Sequence, residues 1–208
     1  MKVTKLEPVT KTKYKVYLDE QFAFVLYKGE LSRYKIQEEV ELSQETIEEI
    51  KTEILVKRAK RRALYLLNQM DRTEEQLRQK LERDLYPKEI VEDAIRYVAS
   101  FGYIGDTDYA RRYVLSRQNS KSKREIKMAL LQKGVPKEIV EQALEECYQQ
   151  QDESVAVQRL LEKKRFCPES ATDVEKKKMY EYLVRKGFSY DLIRQVIQVS
   201  FWNAVNHF

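Results

Sequence analysis

The residue types that do covalent or metal chemistry are sparse in this chain. Its one histidine, His207, stands next to the last residue, and its two cysteines, Cys147 and Cys167, are twenty positions apart. A Ser–His or Cys–His dyad, or a histidine-bearing metal site, would therefore hang on a terminal side chain. Two lone thiols make neither a disulfide framework nor a zinc site, and fit a reducing compartment. Neither of the phosphate-cradling patterns GxxxxGKS/T and GxGxxG occurs. The 34 acidic residues fall on repeating amphipathic patterns, where a solvated helix face accounts for them. The expectation is a protein with no catalytic residue, no metal and no cofactor.

What the sequence offers is organised charge. The net charge is only +5, with a pI of about 9.0. Yet residues 51–65 carry six bases (Lys51, Lys57, Arg58, Lys60, Arg61, Arg62) against Glu53 alone. Residues 111–137 carry nine (Arg111, Arg112, Arg117, Lys121, Lys123, Arg124, Lys127, Lys133, Lys137) against Glu125 alone. By contrast, 38–50 and 138–153 each hold six acids and no base. Such segregation predicts cationic strips that face an anionic partner. Solubility and ion pairs along helices are the plainer reading. Arg58 and Arg62, four apart, share one helix face opposite Ala59, Ala63, Leu66, Leu67 and Met70. Tyr109 and Tyr113 are four apart beside Arg111 and Arg112, a mixture typical of interfaces, although the tyrosines could equally pack between repeats.

These residues need elements to position them. In 1–42, Val3, Leu6, Val9, Tyr14, Val16 and Leu18 alternate loosely with polar residues, and Phe22–Tyr27 is an apolar run. That pattern predicts a small β-hairpin-like or three-stranded extension ending near Leu42, packed on helices. From Ser43, a candidate N-cap, the period becomes helical.

The helical part repeats. A shift of 49 places Pro87-Lys88-Glu89-Ile90-Val91-Glu92 on the identical Pro136-Lys137-Glu138-Ile139-Val140-Glu141, with Leu77, Leu81, Ala94 and Ile95 on Ile126, Leu130, Ala143 and Leu144. A further shift of 53 puts Leu130, Gly134, Ile139 and Val140 on Leu183, Gly187, Leu192 and Ile193. The predicted units are 43–105, 106–151 and 152–208. Their helices are expected at 46–70, 74–84 and 87–101, then 106–119, 123–133 and 136–150, then 152–166, 173–186 and 190–204. Thr73-x-x-Gln76 and Ser122-x-x-Glu125 read as capping boxes, and Asp106 as an N-cap. Gly102, Gly134 and Gly187 fall where helices end left-handed, and Pro87 and Pro136 suit first turns. Tyr180, Tyr182, Phe188 and Tyr190 read as core, and Phe201, Trp202 and Phe208 as closing the last unit or docking on a partner. The fold class is mainly α: three tandem three-helix repeats in an elongated, curved array sharing a continuous core.

The chain resembles the RecX family of bacterial recombination regulators. The residues that carry the resemblance are Gly102-Tyr103-Ile104-x-Asp106, Tyr109-Ala110, Lys121-Ser122-Lys123-Arg124-x-Ile126 and Leu130-x-x-Lys133-Gly134-Val135. It spans essentially the whole chain. Gly105 departs from it, standing where the family usually has a second acidic residue. The resemblance implies a non-enzymatic protein that binds in the groove of the RecA filament on DNA and inhibits ATP hydrolysis, strand exchange and co-protease activity. Joined to the charge map, it nominates Lys57, Arg58, Arg61, Arg62, Tyr103, Asp106 and Tyr109, with Arg111, Arg112, Arg117, Lys121, Lys123 and Arg124, as contacts. The expected partners are the RecA filament and single- or double-stranded DNA directly. With no signal peptide and no membrane-length apolar run, a cytoplasmic monomer is expected. The rival readings are a stand-alone basic DNA- or RNA-binding repeat protein and a structural adaptor.

Overall fold

The structure, a computed structural model, describes residues 1–148 and 150–205, with side chains apart from those of 150–152 and 198–205. Phe208 and His207, and the side chains of Phe201 and Trp202, lie outside the described residues. The chain divides into two compact units, Met1–Gly105 and Asp106–Phe208.

The first unit opens with three antiparallel strands in the order β1 (Val3–Thr10), β2 (Lys13–Leu18), β3 (Gln21–Tyr27). Asp19 and Glu20 both take positive φ, 46° and 68°, making the two-residue turn whose twist suits a hairpin. The strands end at Tyr27 rather than near Leu42, and a short helix, α1 (Lys28–Arg33), follows. Its start is set by the Glu30 carboxylate, which accepts the Tyr27 N–H at 2.7 Å. Residues 38–42 then return along the outer edge of β1. Val3 N–H donates to the Val40 carbonyl, Glu39 N–H to that of Val3, and Leu6 N–H to the Glu38 carboxylate, each at 2.8 Å. This return satisfies edge groups that would otherwise invite another strand.

The long helix expected at 46–70 is continuous but not uniform. Ser43 caps α2 (Gln44–Glu49) by accepting the Thr46 N–H at 3.1 Å. A π-helical stretch, Ile50–Val56, then leads into α3 (Lys57–Gln69). The reason lies in the spacing of the buried side chains, Ile47, Ile50, Leu55, Ala59, Ala63 and Leu66. The five-residue step from Ile50 to Leu55 would turn the stripe off the core in a regular α-helix, and a wider turn absorbs the extra residue. Helices α4 (Glu74–Arg83) and α5 (Lys88–Ser100) complete this unit. One buried cluster joins Val16, Phe24 and Leu26 of the sheet to Leu77, Leu81, Val91 and Val98 of the helices.

The second unit has two helix trios: α6 (Asp106–Arg117), α7 (Lys123–Gln132) and α8 (Lys137–Cys147), then α9 (Gln150–Lys163), α10 (Asp173–Arg185) and α11 (Tyr190–Val205). Each trio buries its own cluster, around Val114, Ile126, Leu130 and Leu144 in one and Val157, Leu183, Phe188 and Ile193 in the other. Among the described residues these are two separate clusters, not the continuous core expected of stacked repeats. Gly102, Gly134 and Gly187 have φ of 69°, 82° and 95°, as their places at helix ends require. Pro87 and Pro136 sit at the N-cap, one position before the expected first turn. The Thr73–Gln76 box is reciprocal, whereas in the second trio only Ser122 caps. The Glu125 carboxylate turns instead to Lys121 at 3.0 Å and Lys186 at 3.6 Å. Asp106 is the first residue of α6 and is buried. Tyr190, expected in the core, is exposed and rests on Tyr180 with ring centroids 5.3 Å apart.

Candidate functional site

The fold answers first the question of what neutralises the cationic runs. Carboxylates distant in sequence come back to several of them. Arg58, on α3, donates to the Glu30 carboxylate and, at 3.2 Å, to the Val25 carbonyl oxygen, and its guanidinium lies 4.6 Å from the Tyr27 ring centre. It ties β3 and α1 to the long helix. Arg62 donates to Asp84 at 2.7 Å, and Lys57 pairs with Glu53 one turn earlier. Arg58 and Arg62 are therefore consumed inside the first unit, although sequence spacing placed them on an outward strip. Arg61, between them, is exposed and makes no ion pair among the described residues.

In the second unit, the acidic run 138–153 folds against the basic run 111–137. Arg111 donates to Glu146 at 2.8 Å, and Lys127 to Glu141 at 2.8 Å. Arg111 holds the Glu146 carboxyl below the usual carboxylate range, and Lys127 does the same to Glu141, through charge-assisted hydrogen bonds. Glu153 accepts the backbone N–H of Lys123 at 3.1 Å. The separation of charge along the chain thus becomes proximity in space, and the two-sided surface expected from it is reduced.

Arg112, Arg117, Lys123 and Arg124 are exposed. Of these, Arg117, Lys123 and Arg124 make no side-chain ion pair among the described residues. Lys123 and Arg124 open α7, at the seam between the two trios. There Ser122, fully buried, donates its hydroxyl to the Lys186 carbonyl oxygen at 2.7 Å and accepts the Glu125 N–H at 3.1 Å. Tyr148 donates its phenol to the Lys121 carbonyl at 3.1 Å. The seam encloses a cleft of about 420 Å³ lined by Arg124, Glu125, Met128, Arg185, Lys186 and Gly187. Arg185 and Lys186 were not singled out by sequence. Their signal was the Lys-Gly pair repeated at 133–134 and 186–187, which marks where the third trio meets the second.

The tyrosines divide. Tyr109 and Tyr113 are half-buried against the second trio's core, nearly parallel with centroids 6.3 Å apart, so packing explains them. Tyr103 is exposed, at 59% of its surface. Among the described residues, no group of three or more His, Cys, Asp or Glu side chains is arranged to hold a metal ion. No described helix is long and apolar enough to cross a membrane.

This arrangement can bind anions along a seam, and among the described residues it does not assemble a nucleophile with a base. Comparison with known proteins agrees with its architecture. Models of the first, second and third three-helix domains of RecX match residues 59–97, 106–144 and 151–197. The regulatory protein RecX of Caldanaerobacter subterraneus is 30% identical over 91% of this chain and 94% of its own. That of Clostridium botulinum is 26% identical over 95% of each. A crystal structure of regulatory protein RecX covers 94% of this chain and 98% of its own with a TM-score of 0.63 at 26% identity. That of RecX from Lactobacillus salivarius covers 71% of this chain and 97% of its own with a TM-score of 0.62 at 27% identity. With its three helix trios each matched in order, the chain belongs to the RecX family of regulatory proteins.

Proposed function

We propose that this protein acts by binding alone, engaging the RecA filament on DNA and suppressing its ATP hydrolysis, strand exchange and co-protease activity. It would thereby serve DNA recombination and repair in the cytoplasm. The observation that carries the reading is the charge left over in Asp106–Phe208. After Glu141, Glu146 and Glu125 have taken their partners, Arg117, Lys123, Arg124 and Arg185 remain exposed and outside any described ion pair. Two of them, Arg124 and Arg185, line the seam cleft, and Lys123 precedes Arg124 at the start of α7. A nucleoprotein filament is a repeating anionic partner, and a chain of repeated three-helix units gains affinity for it by linking several weak contacts.

Titrating the purified protein into pre-formed RecA–DNA filaments, with ATPase rate and filament length followed together, tests this. ATPase activity is expected to fall with added protein. Undiminished activity at saturating protein would remove the proposal. A stand-alone nucleic-acid binder would instead hold naked DNA as tightly as the filament, with log K falling by roughly 0.7–0.9 per phosphate neutralised per decade of salt.

A further inference from the structure

The first unit carries an exposed aromatic surface of its own. On α5 and just beyond its end, Tyr97, Phe101 and Tyr103 form a continuous ladder of rings. Tyr97 meets Phe101 edge-on with centroids 5.1 Å apart, and Phe101 lies 5.7 Å from Tyr103 with their planes 17° apart. Phe101 and Tyr103 are each more than half exposed. Together with Leu64, Leu67 and Asn68 of α3 they line an open groove of about 530 Å³.

The ladder is preformed. Gly102, at φ 69°, reverses the chain after α5, and Tyr103 N–H donates to the Val98 carbonyl at 3.1 Å. This helix-ending motif fixes Tyr103 over Phe101 while Ile104 is buried beneath. Among the described residues, no polar partner explains why two large rings are held side by side in water.

Charge lies beside the groove. Lys60, Leu64 and Asn68 stand four apart on α3 and so share a face. The Lys60 ammonium is 4.6 Å from the Tyr97 ring centre, and Arg61 is exposed beside it. Asp93, one turn before Tyr97, is already held by Arg96. Lys60, on the Tyr97 ring, thus sets a cation next to a groove lined by flat rings and by Asn68.

We propose that this groove is a base-stacking subsite for single-stranded nucleic acid. Exposed, nearly coplanar rings suit a planar base that has no stacking partner, which a duplex does not offer. Lys60 and Arg61 would meet the adjoining phosphate, and Asn68 the base edge. An aliphatic or acidic peptide would gain more from a closed apolar slot than from open ring faces, so the single strand is the better fit. The subsite acts on the strand itself, so its test needs no recombinase and its failure leaves the filament reading standing.

The experiment measures anisotropy of the full chain with a labelled oligothymidylate of about twelve nucleotides, a length several stacked bases require. An abasic oligomer with the same number of phosphates is the control. Wild type is expected to prefer the thymidylate, and Phe101→Ala with Tyr103→Ala to weaken that binding roughly 10- to 100-fold while leaving abasic binding unchanged. Lys60→Ala should lower the salt slope by about 0.7. Phe101→Trp, which keeps a stacking face, should bind as wild type, with indole emission quenched by thymidylate and not by the abasic strand. Equal binding of both oligomers by wild type overturns the proposal, as does an alanine pair that binds thymidylate normally. Capture of an acidic, leucine-rich peptide by the groove with thymidylate binding unaffected by the alanine pair would assign the surface to a protein partner instead.

Discussion

The hydroxyl of Ser122 lies between two backbones: it donates to the Lys186 carbonyl oxygen at 2.7 Å and accepts the Glu125 N–H at 3.1 Å. One side chain thus starts α7 and fastens the second helix trio to the third. Opposite it, a Cβ added to Gly187 would come 2.8 Å from that hydroxyl oxygen and 3.1 Å from the Arg124 Cβ, at a φ of 95° that other residues rarely adopt. Ser122→Ala removes a cap and a buried donor together and is expected to cost about 2 kcal/mol. Gly187→Ala should destabilise as well, and combining the two should cost less than the sum, because the first substitution deletes the atom the second collides with. Urea denaturation of the four proteins measures this; strict additivity would mean the contact is not formed.

Arg58 and Arg61 are three positions apart and should behave oppositely. Arg58 holds Glu30 and the Val25 carbonyl and is about one-fifth exposed, so Arg58→Ala leaves a half-buried carboxylate and a strand carbonyl without their donor. A loss of about 2 kcal/mol is expected, reduced from the fully buried case by solvent. Arg61→Ala should change stability by less than about 0.5 kcal/mol. Arg58→Lys should not restore the wild-type value, since an ammonium cannot serve both acceptors and the Tyr27 face in one plane. Thermal denaturation of the three variants decides it.

For the proposed filament role, charge reversal at the seam is the informative change. Lys123→Glu with Arg124→Glu should weaken inhibition of RecA ATPase at least about tenfold in the concentration required, with the melting temperature held. Reversal of Arg111 is a poorer probe, because it would set a new carboxylate against Glu146 and lose stability as well as contact. Inhibition by the Lys123/Arg124 variant at wild-type concentrations would take those two side chains out of the interface.

On the sheet, Glu7 accepts from Lys5 at 2.9 Å and from Lys15 at 3.1 Å. These hydrogen bonds, Lys5 first, lower its pKa to about 2 from an ordinary value of 4.5. A depressed carboxylate contributes stability that is fully present above the unfolded pKa and disappears as pH falls through the folded one. The contribution of Glu7 should therefore vanish between about pH 4.5 and about pH 2. Glu7→Gln should flatten the stability–pH curve in that window and leave its neutral limb parallel to wild type. An unchanged acid limb would show that the two lysines do not hold the carboxylate in solution.

The helices were legible because their apolar residues recur at helical spacing and their ends are punctuated. Thr73, Gly102, Gly134 and Gly187 do in the structure what their types predict. Helix α1 was not legible: Lys28–Arg33 is too short for periodicity, and its start rests on Glu30 reaching back to Tyr27. The misreading of the charge map has the same origin. Glu30 is 28 positions from Arg58 and Glu146 is 35 from Arg111, so a count along the chain cannot see that they meet. Arg61 and Arg124, which no distant carboxylate reaches among the described residues, stay exposed. The aromatic groove was only half visible. Tyr103 could be named from its motif, but its neighbours Tyr97 and Phe101 joined it only once Gly102 had turned the chain.

The wide turn at Ile50–Val56 has a consequence for any shortened relative of this chain. Deleting a single residue there would shorten the step from Ile50 to Leu55 to four and let the segment relax to a regular α-helix with both halves still in step. Straightening the turn while keeping the extra residue would instead rotate everything after it by about 100° about the axis, swinging Arg58 off the sheet and Leu64 and Asn68 off the ring ladder together. The wide turn works as a phase shifter, keeping α2 in angular step with α3, which carries both the strand contact and the ring groove.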